Sequence, residues 1–79
     1  MSTKITETGE MLEIVYQGDR SDPWDWDCRL LVVREDNGVK IRTHSDGHDD
    51  VMPLDEDATR RLGAFLTRMA DGNYEVPNE

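Results

Sequence analysis

Most of the residues in this chain that could do chemistry are carboxylates, and they come in runs. Asp19, Asp22, Asp25 and Asp27 lie in one stretch, interleaved with Trp24 and Trp26; Asp46, Asp49 and Asp50 form a second run, and Asp55, Glu56 and Asp57 a third. So many oxygen ligands suggest calcium first. The spacing argues against it, because neither of the first two runs has the one-three-five ligand pattern, the glycine at six or the glutamate at twelve of an EF-hand loop. Acid–base work by paired carboxylates needs a cleft that perturbs their pKa values, and a chain of 79 residues has little room for one. His44 and His48 are four apart in a strand-to-loop region, where that spacing does not place them on one face, so a zinc site is not expected. Cys28 and His44 could adjoin across neighbouring strands, but a nucleophilic pair also needs an orienting group and an oxyanion hole, and neither is recognisable. A single cysteine gives no disulfide framework and no Cys-rich zinc site. Cys28 reads as a structural residue, with an intermolecular disulfide as its other option. Phosphate-cradling loops, nucleophile elbows and paired-histidine motifs are missing. No catalytic residue, metal or cofactor is expected. The expectation is a protein that binds.

The elements that must position these residues can be read from periodicity. At 79 residues the chain is one domain, 1–79, with an ordered core over about 10–72. Charged residues make up 34% and hydrophobic ones 35%, but the apolar residues fall in patterned blocks, which argues for a folded chain. In residues 11–17, Leu12, Ile14 and Tyr16 recur at period two and predict a half-buried strand, with Ile5 in an extension interrupted near Gly9. Residues 19–27, with Pro23, Ser21 and four aspartates, read as a loop. A second strand covers about 28–35 and a third about 39–44, joined by Asn37-Gly38, a pair that favours a type I′ turn. That turn would set Glu35 opposite Lys40, Val33 opposite Arg42 and Leu31 opposite His44. Leu30, Val32, Val39 and Ile41 would form the core face. Residues 45–50 read as a second polar loop, and Val51 and Met52 as a short extended piece before Pro53. Asp55 then caps a helix with Glu56 and Asp57 in its first turn. Ala58, Leu62, Phe65, Leu66 and Met69 give the helix one apolar stripe, and Gly72 and Asn73 end it. The class is α+β: an antiparallel three- to four-stranded meander containing the Asn37-Gly38 hairpin, packed on one face by one C-terminal helix.

A three-strand meander places alternate connections at opposite ends. The loop before the second strand, the loop after the third and the helix start are then expected together, bringing ten carboxylates to the end opposite Asn37-Gly38. Eighteen acidic against nine basic residues give a net charge of −9, which repels nucleic acid and anionic membranes and favours basic protein surfaces or cations. Clustered like charge costs a small domain stability, so the cluster hints at a use, although aspartates also suit loops and caps without any function. The contact residues expected at such a surface are Asp22, Trp24, Asp25, Asp27, Asp46, Asp49, Asp50, Glu56 and Asp57, with tryptophan as a favoured interface anchor. The start of the chain has no long apolar run, and no stretch approaches the length of a membrane span, so the default location is the cytoplasm.

In length, in the charge of −9, in the strand–strand–strand–helix order and in the acidic runs over 19–27 and 46–57, the chain resembles small phage-encoded inhibitors of host defence, the anti-CRISPR and DNA-mimic anti-restriction proteins. The resemblance is carried by overall type, not by a shared motif, and transfers no residue role. It implies inhibition of a host nucleic-acid-binding complex by a carboxylate array in place of DNA. The partner would be a basic surface of a protein or ribonucleoprotein, such as a CRISPR surveillance complex, in the host cytoplasm. Arg60, Arg61 and Arg68 on the helix depart from a uniformly acidic mimic and confine the mimicry to one end. The alternative is a small structural or regulatory domain that acts by self-association, for example as a homodimer, or by docking on a protein partner.

Overall fold

A computed structural model describes residues 2–73. Five antiparallel strands precede one helix: β1 Ser2–Glu7, β2 Met11–Gln17, β3 Cys28–Glu35, β4 Gly38–Ser45, β5 His48–Asp55 and α1 Glu56–Ala70. The strands form a single meander in sequence order. The α+β class and the antiparallel sheet with one C-terminal helix are as expected, but the strand count of three to four is low.

Both additional strands lie at the edges. Residues 2–7, expected outside the ordered core, pair with β2 from Ser2 opposite Gln17 to Glu7 opposite Leu12. The alternation is weak there because Ile5 is the only large apolar residue in the strand. Ladder hydrogen bonds hold an edge strand even where side chains bury little. The return into β2 is a tight turn in which the Thr8 hydroxyl accepts from the backbone N–H groups of Glu10 and Met11, each at 3.2 Å.

The expected polar loop over 45–50 is instead the tip of a hairpin. Asp46 (φ 50°) and Gly47 (φ 76°) form a two-residue turn, with Ser45 opposite His48. Both positive φ values suit the right-handed twist of the strands, which is why Asp-Gly is favoured there. β5 then runs back to pair Asp55 with Gly38. Its Pro53 is tolerated on an edge strand, where a missing N–H need not break the ladder.

The β3–β4 turn differs by one step from the expected one. Asp36 and Asn37 are its central residues and Glu35 pairs with Gly38, so Val33 faces Lys40 and Leu31 faces Arg42. Gly38 sits at φ 146°, and a Cβ there would collide with the carbonyl of Leu54. Only glycine can hold that backbone at the crossing from the turn into β4. Because each partner moves by two positions, the faces are preserved. Leu12, Ile14, Leu30, Val32, Val39, Ile41, Met52 and Leu54 share one face with Ile5, Tyr16 and Cys28. Met11, Val15, Leu31, Val33 and Val51 lie on the other, together with Glu13, Arg29, Lys40, Arg42 and His44.

The helix starts as its sequence dictates. Asp55 is extended (φ −72°, ψ −178°), and its carboxylate accepts from the Ala58 N–H at 2.8 Å. Glu56 and Asp57 follow in the first turn, and the chain leaves the helix through Gly72 at φ 77°. α1 does not lie across the sheet as expected. It adjoins β4 and β5 and no other strand. Leu62, Phe65 and Leu66 remain 37%, 47% and 55% exposed. No apolar side chain among the described residues is fully buried. The reason is the junction: β5 ends at Asp55 and α1 begins at Glu56, so no loop exists to turn the helix back over β1–β3.

Candidate partner-binding loop

The ten carboxylates expected together are divided between the two ends of the sheet. The eight-residue β5 separates the Asp46-Gly47 turn from Asp55 by roughly 23 Å at about 3.3 Å per residue. Asp55, Glu56 and Asp57 therefore stand beside the Asp36-Asn37 turn, not beside the loop 18–27. Two of the expected contact residues, Glu56 and Asp57, are thus removed from the others and held by arginines. Arg60 lies 2.9 Å from Glu56, and Arg61 lies 3.3 Å from Asp57. What overturns the convergence is the single two-residue turn that converts a loop into a fifth strand.

The remaining end brings together the β2–β3 loop and the β4–β5 turn. Asp22, Asp25, Trp26, Asp27, His44 and Asp46 border one open hollow there. Asp49 and Asp50 begin β5 on opposite faces. Asp49 shares a face with His44, whose Nδ1 is 2.7 Å from its carboxylate, and that hydrogen bond holds Asp49 below the usual carboxylate range. Asp50 shares a face with Thr43.

Several of the loop's carboxylates are used to build the loop. Asp25 accepts from the Tyr16 hydroxyl at 2.9 and 3.0 Å and from the Asp19 N–H at 2.7 Å. Asp27 accepts from the Gly18 N–H at 2.9 Å and pairs with Arg20 at 3.1 Å. Asp19 accepts from both the N–H and the hydroxyl of Ser21, at 2.9 and 2.7 Å, which pulls its carboxyl below the ordinary value. The Tyr16 phenol is pushed up, first by its hydrogen bond to Asp25 and then by burial and the Asp25 charge, because losing the proton would set two anions face to face. Gly18 is buried, and a Cβ on it would run into the Asp25 carbonyl. Loop and strand end are therefore in backbone contact.

This framework presents Trp24. Asp22 accepts from the Trp24 N–H at 2.9 Å, an Asx turn that fixes the backbone under the indole. The indole itself is 80% exposed, against 45% for Trp26. Asp46 and Asp50 make no hydrogen bond or ion pair through their side chains among the described residues. The hydrogen-bonded loop thus presents one exposed indole, at the end of the sheet where Asp22 and Asp46 border the hollow. Sequence reading missed Tyr16 and Gly18 as its anchors. Period two marks Tyr16 only as one residue of a half-buried strand, and a glycine at a strand end beside an Asp-rich stretch is the one sequence signal of close backbone approach.

Cys28 pairs with Ser45 and contacts its hydroxyl at 3.4 Å, whereas His44 pairs with Arg29 on the opposite face, so the two are not a nucleophilic pair. His44 and His48 also lie on opposite faces. Among the described residues, no three His, Cys, Asp or Glu side chains converge as metal ligands. No helix of the described residues is long and apolar enough to cross a membrane. In comparisons with known proteins, no family model, no curated protein and no solved structure matches the chain.

Proposed function

We propose that this is a non-catalytic binding protein whose loop 18–27 docks on a basic surface of a protein or ribonucleoprotein that otherwise holds nucleic acid, and so inhibits it. The observation that carries the reading is Trp24, 80% exposed on a loop held by its own aspartates. An exposed indole on a mobile segment would cost ordering entropy on binding, whereas one on a pinned loop has already met much of that cost. Aromatic anchors supply binding energy at the centre of an interface, and surrounding charge supplies orientation and association rate. In this reading Asp22 and Asp46, which border the same hollow, supply charge in place of phosphates, and the net charge of −9 steers the whole molecule toward a basic groove.

The role of Asp25 and Asp27 changes in this reading, and Asp19 joins them. They shape the loop more than they touch the partner. Asp49, paired with His44, contributes less than its position in the sequence suggests. A CRISPR surveillance complex is one partner of the required chemistry. Pull-down from host lysate tests the proposal. Wild-type protein should retain nucleic-acid-binding proteins at low salt and release them at high salt. Trp24→Ala, and the double charge reversal Asp22→Lys with Asp46→Lys, should each lose them. Equal retention by all three proteins would refute it.

A further inference from the structure

We infer that two copies of the chain join edge to edge, β1 antiparallel to β1, into one continuous sheet with Ile5 of each copy at the two-fold axis. The inference concerns the open edge of the sheet and not loop 18–27, so it stands apart from the proposed function. β1 ends the sheet, and among the elements of the fold it adjoins β2 alone. The Thr8 N–H donates to the Met11 carbonyl at 2.9 Å, which fixes the phase of the β1–β2 ladder. Hydrogen-bonded and non-bonded pairs alternate along antiparallel strands. Ser2, Lys4 and Thr6 therefore bond inward to β2, and Thr3, Ile5 and Glu7 direct their N–H and C=O groups away from the sheet. The bond from the Arg34 N–H to the Glu10 carbonyl, at 2.8 Å, sets the same phase from the β3 side.

The two edges of the sheet differ. The Asp46-Gly47 turn closes on Ser45 and His48, so the outward positions of β5 include Asp49, Val51 and Pro53. Pro53 has no N–H to offer, Asp49 is charged, and α1 lies beside this strand. Proline, charge and a covering helix are the means by which proteins keep an edge from pairing. β1 has no proline and no bulge, and its outward row of donors and acceptors is complete. Ile5, at the middle of that row, is 64% exposed.

What fits this edge is β1 itself. Thr3, Ile5 and Glu7 are spaced evenly about Ile5, so a two-fold axis through the sheet at that point sets Ile5 opposite Ile5 and Thr3 opposite the partner's Glu7, twice. Each of these pairs exchanges two main-chain hydrogen bonds, about six in all. The two Ile5 side chains meet on the face that carries Leu12 and Ile14. On the opposite face Lys4 falls beside the partner's Thr6, and the partner's Glu13 is the next residue across. Two strand spacings, about 9.6 Å, separate Lys4 from that glutamate, a gap the two long side chains span together. Within the single chain Lys4 makes no ion pair among the described residues. Charge also selects the register. A slip that shifts the axis to Lys4 sets Lys4 against Lys4, which like-charge repulsion opposes. A slip that shifts it to Thr6 loses the Thr3 pairs, and with them about two hydrogen bonds.

Sedimentation equilibrium of the full chain at about 100 µM should give twice the mass of 9.1 kDa, and a monomer mass overturns the inference. Ile5→Pro removes an N–H that β2 does not use and sets a ring at the axis, so it should keep its circular dichroism and sediment as a monomer. A folded Ile5→Pro dimer overturns the inference, because the contact then lies elsewhere. Cysteine pairs read the register whether or not Ile5→Pro folds. In a Cys28→Ser background, Lys4→Cys mixed with Thr6→Cys should cross-link under mild oxidation, since their Cα atoms would stand about 4.5 Å apart across the axis, within disulfide reach. Lys4→Cys by itself should run as a monomer on a non-reducing gel. No cross-link in the mixture, or an equal one in Lys4→Cys by itself, overturns the pairing.

Discussion

Gly18→Ala probes the loop framework at its tightest point. The added methyl would meet the Asp25 carbonyl first, then the Trp26 carbonyl, and neither is a flexible side-chain end that can rotate away. Gly18 is not in the positive-φ region, so the cost comes from the clash rather than from backbone strain. Relief requires the loop to lift from the end of β2, which would stretch the bonds from Gly18 N–H to Asp27 and from Asp19 N–H to Asp25. Overpacking of this kind costs about 1–3 kcal/mol. For a domain of this size each kcal/mol lowers the thermal midpoint by roughly 4–8 °C. Gly63→Ala is the matched control. It lies inside α1 with open space around its Cβ position, so the same methyl should stabilise by about 0.5–1 kcal/mol. Thermal unfolding followed by circular dichroism measures both shifts, and tryptophan fluorescence reports whether Trp24 and Trp26 change environment in Gly18→Ala. A Gly18→Ala protein with an unchanged midpoint and spectrum would refute the close contact between loop and strand end, and with it the preorganisation of Trp24.

Trp24→Ala should change stability by no more than about 0.5 kcal/mol, since the ring is exposed, while abolishing partner capture; a large loss of stability in denaturant titration would show that the indole packs instead. Asp55→Ala removes the cap on Ala58 N–H and should destabilise by about 1 kcal/mol, read as a lower urea midpoint, with Asp55→Asn close to wild type. Asp19 and Asp49 both have folded-state pKa values lowered from 3.8, so each contributes stability that is present above that value and is lost as pH falls through the folded pKa. Asp19→Ala should therefore be less stable than wild type at about pH 6, with a deficit that shrinks as pH falls below 3.8 and the carboxylate is protonated, and a deficit that does not shrink in acid would point to packing rather than to the Ser21 hydrogen bonds. The Tyr16 phenol is raised from 10.0, so its contribution is complete below pH 10 and fades as pH rises through the folded value, which Tyr16→Phe should remove from the alkaline unfolding profile.

Much of the fold was legible along the chain. Period two placed Leu12, Ile14, Leu30, Val32 and Ile41 on one face, and even a misplaced turn left that face intact, because the partners moved by two positions and not one. The Asp55 cap, the acidic first turn and the Gly72 exit were all readable from local chemistry. The first strand was not, since Ile5 alone cannot make a period visible and its pairing comes from backbone groups common to every residue. Of the expected contact set, Trp24 and Asp22 remain exposed together, Asp25 and Asp27 turn inward to hold the loop, and Glu56 and Asp57 lie at the far end of the sheet.

The sequence by itself determined the charge of −9, the alternation that puts Leu12, Ile14, Leu30, Val32 and Ile41 on one face of the sheet, and the start and stop of the helix, because each depends on residues within a few positions of one another. The tertiary structure decided where the charge lies and whether the apolar face is covered. A tight turn at Asp46-Gly47 reverses the chain where a loop was expected, and β5 then carries Asp55, Glu56 and Asp57 to the opposite end. Direction, once reversed, displaces everything downstream by the length of a strand, and no local pattern in the helix records which end of the sheet it starts from.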